Sequence, residues 1–311
     1  MESTKPAFGE LFEQVINFPD PDLKERLDLL VGLDETKETL TKILSLLVNP
    51  IGVKTWADKH HNGATRVLNF VTRRPPLIVL AGDVGSGKSE LAYTIGDAVA
   101  RQEDIAVELY PLSLATRGQG RVGQMTQLVS AAFDYTLDKA KRLKSSNGKS
   151  NGAVILLVDE ADALAQSREN EQMHNEDKAG VNAFIRGIDS LGNGKFPAAV
   201  IMCTNRPNAL DPAIRRRAAE IIYFKRPGNE ARKLVLEAPL TELGFNAKAI
   251  DEMVNLTGRQ EGRDYGFTFS DIVQRLIPSL VLDAYPNQQV KPERAKEIAR
   301  NMLPTAPFKE N

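Results

Sequence analysis

The sequence predicts an α/β protein, in which a three-layer domain built on a mostly parallel sheet is followed by a small C-terminal helical domain. Five short apolar runs carry the first part of that expectation: Leu77–Ala81, Ala106–Tyr110, Val154–Val158, Ala199–Cys203 and Ile221–Phe224, each bounded by polar or turn residues. Runs that are apolar at every position belong to strands buried on both faces, and such strands occur where helices cover both sides of a parallel sheet. Helix-period segments lie between the runs, and after Pro227 the strand signal gives way to helical segments alone.

Taken in chain order, residues 1–30 form a short N-terminal extension of mixed character, interrupted by the turn-forming "FPDPD" at Phe18–Asp22. From Val31, Leu33, Leu40, Ile43, Leu44 and Leu47 share a helix face, which Asn49 and Pro50 end. Val181, Phe184, Ile185, Ile188 and Leu191 make a second apolar stripe. "KSSNGKSNG", Lys144–Gly152, has the composition of a flexible loop. Asn229–Glu237, Asp251–Leu256, Ser270–Tyr285 and Pro292–Leu303 are predicted helices. The expected division is therefore an α/β domain over 31–227 and a helical lid domain over 228–311.

Composition narrows the function classes. The chain has 311 residues, 42% of them hydrophobic, and a formal net charge of -1. It offers no net cationic excess for a phosphate backbone, so nucleic acid is not the expected partner. The single cysteine, Cys203, lies inside an apolar run and is expected in the core, which suits a reducing compartment. The first residues lack a signal-peptide pattern, and no uninterrupted apolar window reaches membrane-spanning length. These features predict a soluble, cytoplasmic protein with no membrane partner. His60 and His61 have no partners at metal-ligand spacing, and Trp56 is expected to be a packing residue.

The most specific signal is "GDVGSGKS", Gly82–Ser89, directly after the first apolar run. It matches the P-loop pattern GxxxxGK[ST] at Gly82, Gly87, Lys88 and Ser89. The backbone of Asp83, Val84, Gly85 and Ser86 completes the loop, whose inward N–H groups cradle phosphate oxygens. Lys88 reaches the terminal phosphates and Ser89 binds magnesium, so the expected ligands are a nucleoside triphosphate and Mg2+.

"VILLVDEADAL" ends the third apolar run with Asp159 and Glu160. Downstream of a P-loop, Asp159 is expected in the magnesium shell, and Glu160 as the base that orients and deprotonates the attacking water. Asp162 is expected to be a solvated or capping carboxylate. Asn205 leaves the fourth run on the edge expected for Glu160, where its amide could position the water or touch the terminal phosphate. Arg215, Arg216 and Arg217 then supply adjacent cations, and an arginine offered to a neighbouring subunit would stabilise transition-state charge.

These motifs, in this order and spacing, resemble the AAA+ ATPases from Val31 onward. The resemblance implies that Lys88, Ser89, Asp159 and Glu160 bind and hydrolyse ATP, and that Asn205 is the first sensor. It places Val31 and Gly32 beside the base and implies a homo-oligomeric ring, commonly a hexamer. "GFTFSDI", Gly266–Ile272, is similar to the second-sensor region, although no arginine stands in the usual place and Arg263 and Arg275 are only nearby. Within the family, "DKAGVNAFIRGIDSL" and "RRRAAEIIYFKRP" look most like the HORMA-domain remodellers of the pachytene-checkpoint type. By that comparison Arg217 best matches the finger, with Arg216 second.

The short segment before Val31 is similar to bacterial members that accompany HORMA proteins in cyclic-oligonucleotide antiphage systems. "LATRGQGRVGQM" corresponds to a central-pore loop but offers Gly118 and Gln119 in place of an aromatic, leaving the backbone, Arg117, Gln119 or Val122 to make any grip. "SRENEQMHNEDKAG", Ser167–Gly180, could supply a second pore loop, within which His174 is expected to be solvated. The function this implies is a ring-forming ATPase that remodels or partly unfolds a HORMA-domain protein. An ATP-dependent loader or switch acting on DNA-bound complexes is the alternative.

Overall fold

All five apolar runs are strands in the computed structural model, which describes residues 6–12, 14–112, 124–145, 149–165, 175–192 and 195–308. They are β2 (Leu77–Gly82), β3 (Val107–Pro111), β4 (Ala153–Val158), β5 (Ala198–Thr204) and β6 (Ala218–Phe224), joined by β1 (Ile16–Phe18). The sheet order is β1-β3-β4-β5-β2-β6. β3, β4, β5 and β2 pair in parallel, with Leu109 opposite Ile155, Leu156 opposite Val200 and Val79 opposite Met202. β1 is antiparallel to β3, so the sheet is mixed at that edge.

The helices are α1 (Phe8–Leu11), α2 (Pro21–Asp28), α3 (Asp34–Val48), α4 (Ile51–His60), α5 (Thr65–Val71), α6 (Lys88–Glu103) and α7 (Gln124–Leu143). They continue with α8 (Asp162–Ala165), α9 (Asn175–Leu191), α10 (Pro212–Arg217), α11 (Asn229–Glu242), α12 (Ala247–Leu256), α13 (Ile277–Ala284) and α14 (Pro292–Asn301). The expected helix over Ser270–Tyr285 has a π-helical first part, Asp271–Leu276.

The chain divides into two compact units. The first comprises 1–28, 35–81 and 89–223; the second comprises 29–34, 82–88 and 224–311. The main boundary thus falls four residues before the expected 227/228, and the segments 29–34 and 82–88 group with the C-terminal helices.

Every residue of β2, β4 and β5 is buried. On one sheet face Val79, Val154, Leu156, Val158, Val200 and Met202 pack in a cluster with Val129 and Phe133 of α7 and with Val181, Phe184 and Ile188 of α9. Helices α7 and α9 approach closely because Gly187 has no side chain: a Cβ there would lie 2.2 Å from the Phe133 ring. The apolar stripe predicted over Val181–Leu191 is buried, as are Leu40, Ile43, Leu44 and Leu47 of α3 and Cys203 in β5.

Residues 6–28 are not an appendage. Phe8 and Phe12 set their rings 5.3 and 5.0 Å from Tyr110 of β3. Phe18 occupies the space a side chain at Gly96 of α6 would need. Arg26 makes a two-pronged pair with Glu90 at 2.8 and 2.9 Å, and buried Asp97 accepts the Asp20 N–H at 2.8 Å. Trp56 departs from its expected packing role. It is 49% exposed, with its ring 4.6 Å from that of His61, because the buried residue of α4 is Ala57.

The second unit has its own core, in which Leu236 and Leu240 of α11, Ile250 and Met253 of α12, Leu280 of α13 and Ala295 of α14 cluster with Phe267. Helix α11 runs past Pro239, five residues beyond the expected end at Glu237.

Candidate active site

Residues 82–88 of the expected phosphate loop belong to the second unit, and Ser89 to the first. Gly82, Gly85 and Gly87 have φ of 145°, 69° and 96°, values that favour glycine. Two of them are also confined sterically. A Cβ at Gly82 would meet the Phe224 carbonyl oxygen at 2.0 Å, and one at Gly85 would meet the Thr268 hydroxyl at 2.7 Å. The Ser270 N–H donates to the Gly85 carbonyl at 3.2 Å, and the Ser86 hydroxyl donates to the Asp83 carbonyl at 2.7 Å. Lys88 is buried, its ammonium donating to the Gly82 and Asp83 carbonyls at 3.0 and 2.7 Å.

The loop is braced by a residue that sequence reasoning passed over. Arg226 donates through Nε to the Asp83 carboxylate and through Nη1 to the Gly266 carbonyl at 2.8 Å, and the Asp83 carboxylate in turn accepts the Val84 N–H at 2.9 Å. Both charged side chains are largely buried. Val31 and Gly32, expected beside the base, lie in the same unit. Gly32 has Ala231 and Phe269 as neighbours, and Leu33 lies against Gly87. Segments 29–34 and 82–88 and the region of Thr268 thus come together.

The carboxylates belong to the first unit. The chain leaves β4 in a turn at Asp159–Ala161, and Glu160 adopts φ of 49°. That left-handed conformation costs a non-glycine residue about 1–2 kcal/mol, a form of strain that concentrates at functional positions. The turn is held by the Asp159 carboxylate, which accepts the Glu160 N–H at 2.9 Å, and by the Ala161 N–H donating to the Cys203 carbonyl at 2.9 Å. Glu160 is exposed.

The Ser89 hydroxyl donates to Asp159 Oδ1 at 3.1 Å. Magnesium takes oxygen ligands at 2.0–2.1 Å in an octahedron, so adjacent ligands stand about 2.9 Å apart. A hydroxyl and a carboxylate oxygen at this separation fit two neighbouring positions of such a shell.

β5 ends beside this turn, and there the structure corrects the reading of Asp162. Its Oδ1 accepts the Thr204 hydroxyl at 2.8 Å and the Asn205 N–H at 2.7 Å, while Oδ2 accepts Asn205 Nδ2 at 3.3 Å. Asp162 therefore holds the predicted sensor rather than standing in solvent.

The three arginines have different surroundings. Helix α10 starts at Asp211, whose carboxylate caps the Ala213 N–H at 2.7 Å. Arg215 reaches the Tyr223 hydroxyl and the Pro207 carbonyl, both at 3.3 Å. Arg217 grips Asp189 of α9, with Nε and Nη2 donating at 2.7 and 2.9 Å. That contact raises its pKa further and leaves its charge fixed. Arg216 is exposed and makes no hydrogen bond or ion pair among the described residues.

The two second-sensor candidates are engaged elsewhere in the second unit. Arg263 donates to the Leu256 and Gly258 carbonyls at 3.2 and 2.7 Å, closing the end of α12, and Arg275 pairs with Asp271 at 2.8 Å. Arg117, Gly118, Gln119 and Val122, expected in a pore loop, and His174 lie outside the described residues.

Residues 78–226 match the family described as "ATPase family associated with various cellular activities (AAA)". The chain is 64% identical over 306 residues to a CD-NTase-associated protein 6 of Escherichia coli strain MS 115-1, covering 98% of each. It superimposes with a TM-score of 0.90 and 62% identity on a chain of the E. coli MS115-1 HORMA:CdnC:Trip13 complex, covering 98% of this chain and 100% of that one. A Rhizobiales Trip13 gives a TM-score of 0.74 at 54% identity, covering 96% and 100% respectively. The chain therefore belongs to the AAA ATPases, in the group of CD-NTase-associated protein 6.

Proposed function

We propose that the chain hydrolyses ATP and couples hydrolysis to remodelling of a HORMA-domain protein within a bacterial antiphage system. One observation carries this reading: the near full-length likeness to a chain of a HORMA:CdnC:Trip13 complex. The site chemistry supports the ATPase part. Lys88 and the loop N–H groups would hold the phosphates, Ser89 and Asp159 would hold magnesium, Glu160 would take the proton of the attacking water, and Asn205 would orient that water. Magnesium, when bound, supplies charge neutralisation at the transferring phosphoryl group.

The reading includes a homo-oligomeric ring, expected to be hexameric, in which an arginine completes the neighbour's site. Arg216 stands exposed for that role, and Arg217 would join it after leaving Asp189. Arg117, Gly118 and Gln119 are the proposed substrate-facing loop. The proposed setting is the bacterial cytoplasm; no helix among the described residues is long and apolar enough to cross a membrane.

The experiment is capture from the native host with Glu160→Gln as bait. A HORMA protein retained with ATP and released without it is the expected result. Recovery of DNA-bound complexes instead would favour the loader, and recovery of neither class under ATP would overturn both.

A further inference from the structure

We propose that Asp162 is a positioning residue for ATP hydrolysis, one that determines which end of the Asn205 carboxamide is presented to the reacting water and phosphate. The inference rests on the ATPase reading and deepens it. An ionised carboxylate is an acceptor only, whereas a carboxamide has a donor end and an acceptor end. Because Asp162 Oδ2 accepts from Asn205 Nδ2, the amide oxygen of Asn205 is turned away from Asp162, together with the second Nδ2 hydrogen. Reversing the amide would set oxygen against oxygen. The side chain is thus held in the one orientation that leaves an acceptor for a water proton and a donor for a phosphate oxygen on its open side.

Two further contacts make the arrangement stiff. Asp162 Oδ1 takes the Asn205 backbone N–H and the Thr204 hydroxyl, so the main chain leaving β5 is fixed by the carboxylate that fixes the amide. The turn that leads into Asp162 carries Glu160, and it is tied to β5 by the Ala161 N–H on the Cys203 carbonyl. Asp162 thereby sets the register between the proposed base and the proposed sensor, two groups that must act on one water. Misplacement of such groups costs rate rather than binding.

The test is Asp162→Asn in the full chain. The substituted amide can still accept the Asn205 N–H and the Thr204 hydroxyl through its oxygen. Its own NH2 would face the NH2 of Asn205, and Asn205 would reverse to restore a bond. The expected result is a loss of kcat of about 10- to 100-fold, with KM for ATP within about twofold of wild type and the thermal midpoint nearly unchanged. In an Asn205→Ala background, Asp162→Asn should cause no further loss, since the group it orients is gone.

Turnover equal to wild type would overturn the inference. So would an equal additional loss in the Asn205→Ala background, which would mark Asp162 as a structural residue alone. A wild-type chain that hydrolyses no ATP, with Glu160→Gln indistinguishable from it, would overturn the underlying reading as well. An active wild type beside an unaffected Asp162→Asn would overturn this inference only.

Discussion

Arg217 and Asp189 form a two-pronged ion pair, Nε to Oδ1 at 2.7 Å and Nη2 to Oδ2 at 2.9 Å, that ties the end of α10 to α9 within one chain. A guanidinium so engaged has both of its best donor directions occupied. To act on another subunit's nucleotide it must exchange one carboxylate for phosphate oxygens, whereas its exposed neighbour Arg216 has no such contact to give up among the described residues.

This difference orders the arginines. Arg216→Ala is expected to leave ATP affinity intact and reduce turnover by about 10³-fold. Arg217→Ala should also lower turnover, and Asp189→Asn should separate its two roles: released from Asp189, Arg217 would raise the rate if it serves in trans and lower it if it only anchors α10. Steady-state phosphate release from each variant checks the order. Mixing Arg216→Ala with Lys88→Ala should restore part of the activity if the residue works across an interface.

Glu160 and Lys88 should fail in different ways. Glu160→Gln keeps the shape and magnesium partners of the site but removes the base, so ATP binding should persist while hydrolysis falls by about 10²–10⁴-fold. Lys88→Ala should abolish binding, because Lys88 is the loop's buried cation. Fluorescent-nucleotide titration beside phosphate release distinguishes the two. Hydrolysis at the wild-type rate in Glu160→Gln would remove it as the base.

Gly187→Ala tests the packing of α7 on α9. The added methyl would sit 2.2 Å from the Phe133 ring, and overpacking of this kind costs about 1–3 kcal/mol. Thermal unfolding should show a lower midpoint, and Phe133→Leu in the same chain should recover part of the loss by making room.

Asp271 carries a pH dependence of the second unit. Burial pushes its carboxyl pKa up, but hydrogen bonds from Thr268 and Thr305 outweigh burial and hold it below the ordinary aspartate value. A carboxyl more acidic in the folded than in the unfolded chain contributes stability that is complete above the unfolded value, about 3.9. That contribution disappears as pH falls through the folded value. Denaturant unfolding followed from pH 7 to pH 3 should therefore show a steeper acid loss in wild type than in Asp271→Asn. The variant should be less stable at neutral pH by about 1–3 kcal/mol.

Much of the fold was legible because its strands are buried on both faces and so spell continuous apolar runs. β1 was not legible, since three residues, Ile16–Phe18, become a strand only through pairing with β3. Residues 1–30 accordingly looked like an extension, although the aromatic contacts of Phe8 and Phe12 and the Arg26–Glu90 pair tie those residues into the first unit. At the site, the phosphate loop was legible because backbone cradling of phosphate demands glycine at set places.

Asp162 and Arg226 were not legible, because each acts through a partner remote in sequence. Asp162 meets Asn205 across 43 residues, and Arg226 meets Asp83 across 143. A carboxylate two places after Glu160 and an arginine at the end of β6 carry no local pattern that distinguishes them from solvated charges.

The path of the chain between its two units constrains how such a protein can be recombined. The backbone passes from one to the other at 28/29, 34/35, 81/82, 88/89 and 223/224, so a single crossover at 223/224 exchanges only part of a unit. Arg226 would then face a foreign Asp83 position, and Thr268 and Ser270 a foreign Gly85. Viable chimaeras with a distant homologue should be those in which 29–34 and 82–88 travel with 224–311 as one inherited set.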